Sequence, residues 1–369
     1  MRLRIWILLI PALAIAAAQA TAGEKKKEEP IPPRKIVSMD PRFDKLVAKD
    51  AVVETIARGF IWTEGVAWSK ESSHLVYPRR VLFPRLFPGR AELVTEPGFL
   101  VFSDIPNNVV HKWQDGRLSE FVKPSGYTGA EPRGGKPGDE PGSNGLLFDS
   151  RGRLTLCEHG DRRVSRIEKN GAKTILADNY QGKKLNSPND LVYHSNGDLY
   201  FTDPPYGRPK WEKDESLELG YFGVFLRRRG GELVLLTKEM TRPNGIALSP
   251  DQKTLYVANS DPAAPIWKSF PVKDDGTIGE GKLFVDGMKW VQAKRPGLPD
   301  GMKIDVHGNI WATGPGGVWV FAPDGTILGN IDTGTNTANV CFGDDGCTLY
   351  IAANHDICRV RTMTKGKGF

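Results

Sequence analysis

Asn244-Gly245-Ile246-Ala247-Leu248, then Ser249-Pro250-Asp251-Gln252, then the apolar run at 255–259: a polar residue and a glycine lead one short run, a turn follows, and a second run answers it. The alternation is strand-like and the turn suits a hairpin, where Gly and Asn accept positive φ. The unit occurs six times. Its other leading segments are Glu64-Gly65-Val66-Ala67-Trp68, Asn144-Gly145-Leu146-Leu147-Phe148, Asn189-Asp190-Leu191-Val192-Tyr193, Asp300-Gly301-Met302-Lys303-Ile304 and Asn339-Val340-Cys341-Phe342. The answering runs lie at 100–104, 154–158, 199–203, 310–313 and 349–353, and further runs follow, as at 164–168 with 172–177 and 318–322 with 326–331. A single hairpin cannot bury its own apolar faces, so the units must assemble. Four strands repeated six times predict an all-β, six-bladed β-propeller over residues 50–369.

Outward from the repeat, residues 51–57 are expected to supply an outer strand that closes the ring against 357–361. The long gap after the first unit reads as an insertion at 77–98, with Arg79, Arg80, Arg85 and Arg90 among aromatics and prolines, as in a surface loop. Arg2 and Arg4, an apolar core at 5–18 and Ala18-Gln19-Ala20 form the pattern of a signal peptide over 1–23. That core is shorter than the roughly 20 residues of a membrane span, so export to a periplasmic or secreted location is expected, with no stable membrane span. The charged, proline-rich stretch that follows reads as linker and N-terminal extension over 24–49. Setting these segments aside takes the formal net charge of +6 down to about +2, which excludes a nucleic-acid-binding role. The four cysteines, Cys157, Cys341, Cys347 and Cys358, lack paired CxxC spacing for structural zinc. A disulfide among the last three is a candidate tie for the C-terminal blade. Nothing in the sequence sets monomer against dimer.

In a propeller the innermost strands run parallel around a central channel, so the six leaders Glu64, Asn144, Asn189, Asn244, Asp300 and Asn339 face one mouth. Any one Asn-Gly or Asp-Gly is an ordinary turn pair. Six leaders in register, all carboxylates or amides, make a set of hard oxygen donors at the channel mouth. Such a set selects Ca²⁺, with Mg²⁺, Mn²⁺ or Zn²⁺ as substitutes.

Trp62-Thr63-Glu64-Gly65, residues 102–108 (FSDIPNN), Cys157-Glu158-His159-Gly160, Asn186-Ser187-Pro188-Asn189-Asp190, residues 201–207 (FTDPPYG), Arg242-Pro243-Asn244-Gly245 and Pro299-Asp300-Gly301-Met302 are long, ordered motifs. In these the chain resembles the senescence marker protein/gluconolactonase/luciferin-regenerating enzyme family, closest to its bacterial gluconolactonase-like lactonases. The resemblance implies a divalent ion, usually calcium, held by Glu64, Asn244 and Asp300. It implies Asn189 as a further ligand that also touches substrate, and Asp300 as the general base. One departure is Ser187, which stands where some members carry a substrate-contacting Arg. The insertion at 77–98 is another.

A lactone hydrolase of this kind needs a polarised carbonyl, an activated water and a stabilised oxyanion. The sequence leaves Asp300 open as general base or as nucleophile. Asn144, Asn189, His159 and Tyr206 are candidates for substrate contact, with Asp203 beside Tyr206. His159 reads equally as a buried structural histidine. Neither H-E-x-x-H nor G-x-S-x-G occurs, which weighs against a zinc protease and a serine hydrolase. The expected partner is a small lactone or sugar acid. Two other readings stay open: a phosphotriesterase-like hydrolase on the same scaffold, and a non-catalytic ligand-binding propeller.

Overall fold

The computed structural model describes residues 32–70, 72–76 and 92–369. Six antiparallel sheets of at least four strands each form the blades of the propeller. The innermost strands are Thr63–Ser69, Ser143–Phe148, Leu191–Tyr193, Pro243–Leu248, Met302–Ile304 and Asn339–Gly343, which number blades 1 to 6. The second strands, Phe99–Asp104, Leu154–Glu158, Leu199–Asp203, Thr254–Asp261, Ile310–Gly314 and Thr348–Ala353, cover the expected answering runs. Blade 6 takes its outer strand, Glu54–Arg58, from near the N terminus and pairs it with Asp356–Arg361, so the ring closes as anticipated.

The core is distributed between neighbouring blades. Along one strand, successive side chains point to opposite neighbours. Ile310 and Ala312 thus pack with Tyr256 and Trp267 of blade 4. Trp311, between them, packs with Phe342 and Ile351 of blade 6. Burying large apolar side chains of this kind contributes about 1.5–3 kcal/mol each.

The glycine after a leader has a tighter reason than a turn. A Cβ on Gly65, Gly145 or Gly245 would collide with the carbonyl oxygen of the next blade's leader, Asn144, Asn189 or Asp300 respectively. One on Gly301 would strike the Asn339 side chain. Of these glycines only Gly65 has a positive φ. Close approach around the ring, not backbone sign, demands glycine at the others.

Three expectations are corrected. Within 24–49, Lys35–Ser38 is no linker: it pairs with Ile327–Asp332 as a fifth strand of blade 5. Phe43, Leu46 and Val47 then enter the core between blades 5 and 6. The insertion starts before residue 77, because Ser72–Val76 and Glu92–Glu96 pair only with each other, outside the blade 1 sheet. Residues 77–91 and the signal-peptide reading of 1–23 lie outside the described residues. All four cysteines are free. Cys341 packs towards blade 1 and Cys358 towards blade 5, so their side chains leave opposite faces of one sheet.

At the hairpin-turn end of the blades the C-terminal tail lies across the sheet ends. Lys367 donates to the carbonyls of Leu248 and Ser249, and its backbone N–H donates to Ile304. Val306 N–H donates to Lys365, and Gly366 abuts Phe342. Among the described residues no helix is long and apolar enough to cross a membrane.

Candidate functional site

The inner strands begin around a cavity of about 620 Å³. Five of the six leaders line it: Glu64, Asn144, Asn189, Asn244 and Asp300. Asn339 does not, and its hydrogen bonds explain why. Its Oδ1 accepts the Val340 N–H at 2.9 Å, and its Nδ2 donates to Glu64 Oε2 at 3.1 Å. Asn339 therefore holds Glu64 in place, helped by the Gly65 N–H at 2.9 Å.

The other leaders are the reverse. Asn144 Oδ1, Asn189 Oδ1, Asn244 Oδ1 and Asp300 Oδ1 are all buried and accept no hydrogen bond. An orphaned buried polar atom costs about 1–3 kcal/mol, and where several occur together natural proteins satisfy them with an ion, a ligand or ordered water. Burial pushes the Glu64 carboxyl up to about 8, against the pull of the Gly65 and Asn339 donors; Asp190 and Glu140 push in the same direction as burial. Burial also raises Asp300 well above the carboxylate range, reinforced by Glu64, Asp190 and Glu140. Acid groups are thus crowded where oxygen acceptors lack donors, and they resist ionisation without a counter-charge. That is the demand a cation meets.

Hard amide and carboxylate oxygens, two of them on acids, fit a divalent ion of the calcium type. Glu64, Asn189, Asn244 and Asp300 are the residues that could hold it. Among the described residues no three of His, Cys, Asp and Glu gather as a metal cluster. The donors here are mostly amides.

Tyr206 lines the cavity, packs edge-on against Trp211 and donates its hydroxyl to Ser260 O at 3.3 Å. Burial raises its hydroxyl pKa. His159 and Asp203 stand elsewhere. His159 is fully buried behind the cavity, its Nδ1 3.3 Å from Glu140 Oε2 and neither ring nitrogen in a hydrogen bond. Asp203 is fully buried and accepts the backbone N–H groups of Asn186 and Ser187, each at 2.8 Å. Ser187 is turned inward too: its hydroxyl donates to Pro204 O at 2.6 Å and accepts Gly207 N–H at 3.0 Å. Ser187, the departure noted in its motif, thus ties down the 204–207 loop.

Several cavity residues escaped the sequence reading. Glu140 sits in an aperiodic Gly- and Pro-rich loop, and Asn336, Thr337 and His355 come from loops of the last blades. Trp62 belongs to a motif singled out for its neighbour Glu64. Trp62, Trp211 and Leu298 give the cavity an apolar wall beside its polar floor, the composition of a small-molecule site.

Residues 91–355 match the family model described as SMP-30/Gluconolactonase/LRE-like region. A gluconolactonase from Zymomonas mobilis is 38% identical over 338 residues, covering 90% of this chain and 87% of that protein. A pentonolactonase from Haloferax volcanii is 33% identical over 217 residues, or 56% of this chain and 62% of that one. A solved gluconolactonase from Xanthomonas campestris aligns with a TM-score of 0.70 and 26% identity, covering 91% of this chain and 99% of its own. The propeller, the channel-facing leaders and these matches together place the chain in the SMP-30/gluconolactonase/LRE-like family.

Proposed function

We propose that this protein is a calcium-dependent lactonase that opens a sugar lactone or related cyclic ester. The observation that carries the proposal is the set of buried, unpartnered leader oxygens around Glu64 and Asp300 at the floor of a cavity sized for a small molecule. Identity to a gluconolactonase across most of both chains supports the substrate class.

Glu64, Asn189, Asn244 and Asp300 would hold the ion. When bound, a divalent cation supplies positive charge for the carbonyl oxygen and for the negative charge that develops there. The rest of the chemistry falls to the chain itself. Asp300 takes a proton from the attacking water as the water oxygen bonds to the carbonyl carbon. The ring C–O bond then breaks, the proton goes to the departing ring oxygen, and a hydroxy acid results. Asn144, Asn189 and Tyr206 orient the substrate hydroxyls, while Trp62 and Leu298 exclude water from the other side. His159, shielded from the cavity, acts on substrate only through Glu140.

The test is steady-state hydrolysis of a panel of sugar lactones and organophosphates by chelated and calcium-restored protein. Lactone turnover that falls on chelation, returns with calcium and drops about 10²–10⁴-fold in Asp300→Asn supports the proposal. Rapid organophosphate cleavage beside negligible lactone turnover sinks it.

The basic, apolar and small-residue pattern of 1–23 supports export as part of the same proposal. N-terminal sequencing of protein recovered outside the cytoplasm checks it. An intact Met1 on cytoplasmic protein contradicts it.

A further inference from the structure

Three of the four candidate ligands share a supporting device. In blade 1, Asp104 Oδ1 accepts the backbone N–H groups of Ile61 and Trp62, each at 3.2 Å. These residues stand three and two positions ahead of Glu64. In blade 3, Asp203 accepts Asn186 N–H on Oδ2 and Ser187 N–H on Oδ1, three and two positions ahead of Asn189. In blade 4, Asn259 Oδ1 accepts Arg242 N–H at 2.8 Å, two ahead of Asn244, and its Nδ2 donates to the Thr241 hydroxyl at 3.0 Å, three ahead. The acceptor comes each time from the second strand: Asp104 faces Thr63 and Asn259 faces Pro243, the residues just before their leaders. All three acceptors are buried.

The remaining blades lack the device. Glu158 of blade 2, opposite Ser143, turns instead to Arg163 at 2.6 Å, Lys173 at 2.7 Å and the Ser165 hydroxyl. The corresponding residues of blades 5 and 6 are Gly314 and Ala353, which have no side-chain acceptor. The clamp therefore follows the candidate ligands Glu64, Asn189 and Asn244 and spares Asn144 and Asn339, the leaders not assigned to the ion.

We infer that Asp104, Asp203 and Asn259 are positioning residues for the ion site. Each fixes the backbone entering an inner strand, and so the direction in which the leader's oxygen points into the cavity. The inference rests on the proposed ion site, and it yields a fine distinction. In Asp104, Oδ1 receives both backbone donors, while Oδ2 takes the Asn107 amide at 2.7 Å and a longer share of the Ile61 N–H at 3.4 Å. An amide oxygen does the same job in blade 4, so Asp104→Asn keeps both Oδ1 bonds once the exposed Asn107 amide turns its oxygen to the new NH₂. In Asp203 each oxygen receives its own backbone donor, so Asp203→Asn sets an NH₂ against an N–H and breaks it.

The experiment is calorimetric titration of the chelated protein with Ca²⁺, with melting temperatures measured alongside. Asp305→Ala serves as control, because Asp305 is an equally buried clamp at the far end of blade 5, accepting His307 and Asn309 N–H, each at 2.9 Å. Asp104→Ala, Asp203→Ala and Asn259→Ala should weaken calcium binding by roughly 10–100-fold. Asp203→Asn should weaken it alike, and Asp104→Asn should stay within about threefold of the parent. Asp305→Ala should lose melting temperature with its affinity intact. Unchanged affinity in the folded Asp104→Ala and Asn259→Ala variants, or a loss in Asp305→Ala as large as theirs, overturns the inference. Should the parent bind no calcium yet hydrolyse lactones, the ion reading fails on its own. Positioning is then judged by lactone kcat/KM: a fall in the clamp variants absent from Asp305→Ala supports it, and equal falls overturn it.

Discussion

Asp300 and Asp305 flank the same short inner strand of blade 5, Met302–Ile304, and live opposite lives. Asp305 accepts N–H groups from His307 and Asn309 on one oxygen, and the Asn309 amide, the Trp311 indole and the Thr364 hydroxyl on the other. Asp300 Oδ1 is buried and accepts nothing. The difference extends along the hairpins. At their turns, Asp149 receives Arg151 and Arg153, and Asp198 receives Arg229 and Asn196. At their leading ends, Asn144, Asn189 and Asn244 share the plight of Asp300. One end of each blade completes its hydrogen bonds internally and contributes stability. In blades 2 to 5 the other leaves them for a ligand and contributes function, while Asn339 of blade 6 spends its own on Glu64 and Val340.

The largest expected break in this contrast is chemical. Asp300→Asn should lower lactone kcat by about 10²–10⁴-fold with little change in melting temperature. Asp305→Asn should do the opposite, costing about 2–4 kcal/mol in chemical denaturation with kcat retained. Equal effects of the two on kcat would erase the distinction.

Glycine substitutions sharpen it. An added methyl at Gly245 must displace the Asp300 carbonyl, and a displacement near 1 Å at a reacting centre can cost about 10²-fold. Gly171, in a turn with open space around it, should cost only about 1 kcal/mol, from its positive φ, and leave kcat/KM alone. Kinetics and melting of Gly245→Ala and Gly171→Ala check both.

A pH series reads the same ring by its charge. In the metal-free fold Glu64 ionises at about 8, against an ordinary 4.5, and Asp300 is shifted the same way. A raised folded-state pKa favours the protonated form, so this contribution is fully present below about 4.5 and is lost as pH rises to about 8. The melting temperature of chelated protein should therefore fall between those values, relative to protein saturated with calcium, whose carboxylates are held ionised. Parallel melting curves with and without calcium would contradict it. The smallest effect belongs to the thiols: with all four cysteines free, reductant should leave the melting temperature unchanged.

The propeller was legible because the hairpin period is short and repeats in register with its leaders. Its glycines were legible as signals but not in meaning. An Asn-Gly pair suggests a turn, whereas Gly145, Gly245 and Gly301 serve the approach of the next blade. Lys35–Ser38 was hidden by its charged, proline-rich setting, since an edge strand needs little apolar alternation to pair. Polar residues in one motif diverged for a similar reason. Asp203 and Tyr206 sit three residues apart, yet the carboxylate turns back to clamp Asn186 and Ser187 while the phenol reaches the cavity. Sequence gives the chemistry of a polar side chain but not its direction when the backbone is irregular. Glu140 and His159 meet only because a loop folds over the end of blade 2, which no periodicity announces.

The central claim is that the unpartnered leader oxygens are a cation site. Calcium titration of the chelated, full-length protein at pH 7 in buffers of different ionisation enthalpy tests it most directly. One ion should bind per chain with proton release, because Glu64 is largely protonated there without the ion and Asp300 is shifted the same way. Glu64→Gln should reduce the proton release to the share of Asp300 and remove most of the affinity. A parent protein that takes up no calcium, or a Glu64→Gln variant that binds it with undiminished affinity, would contradict it.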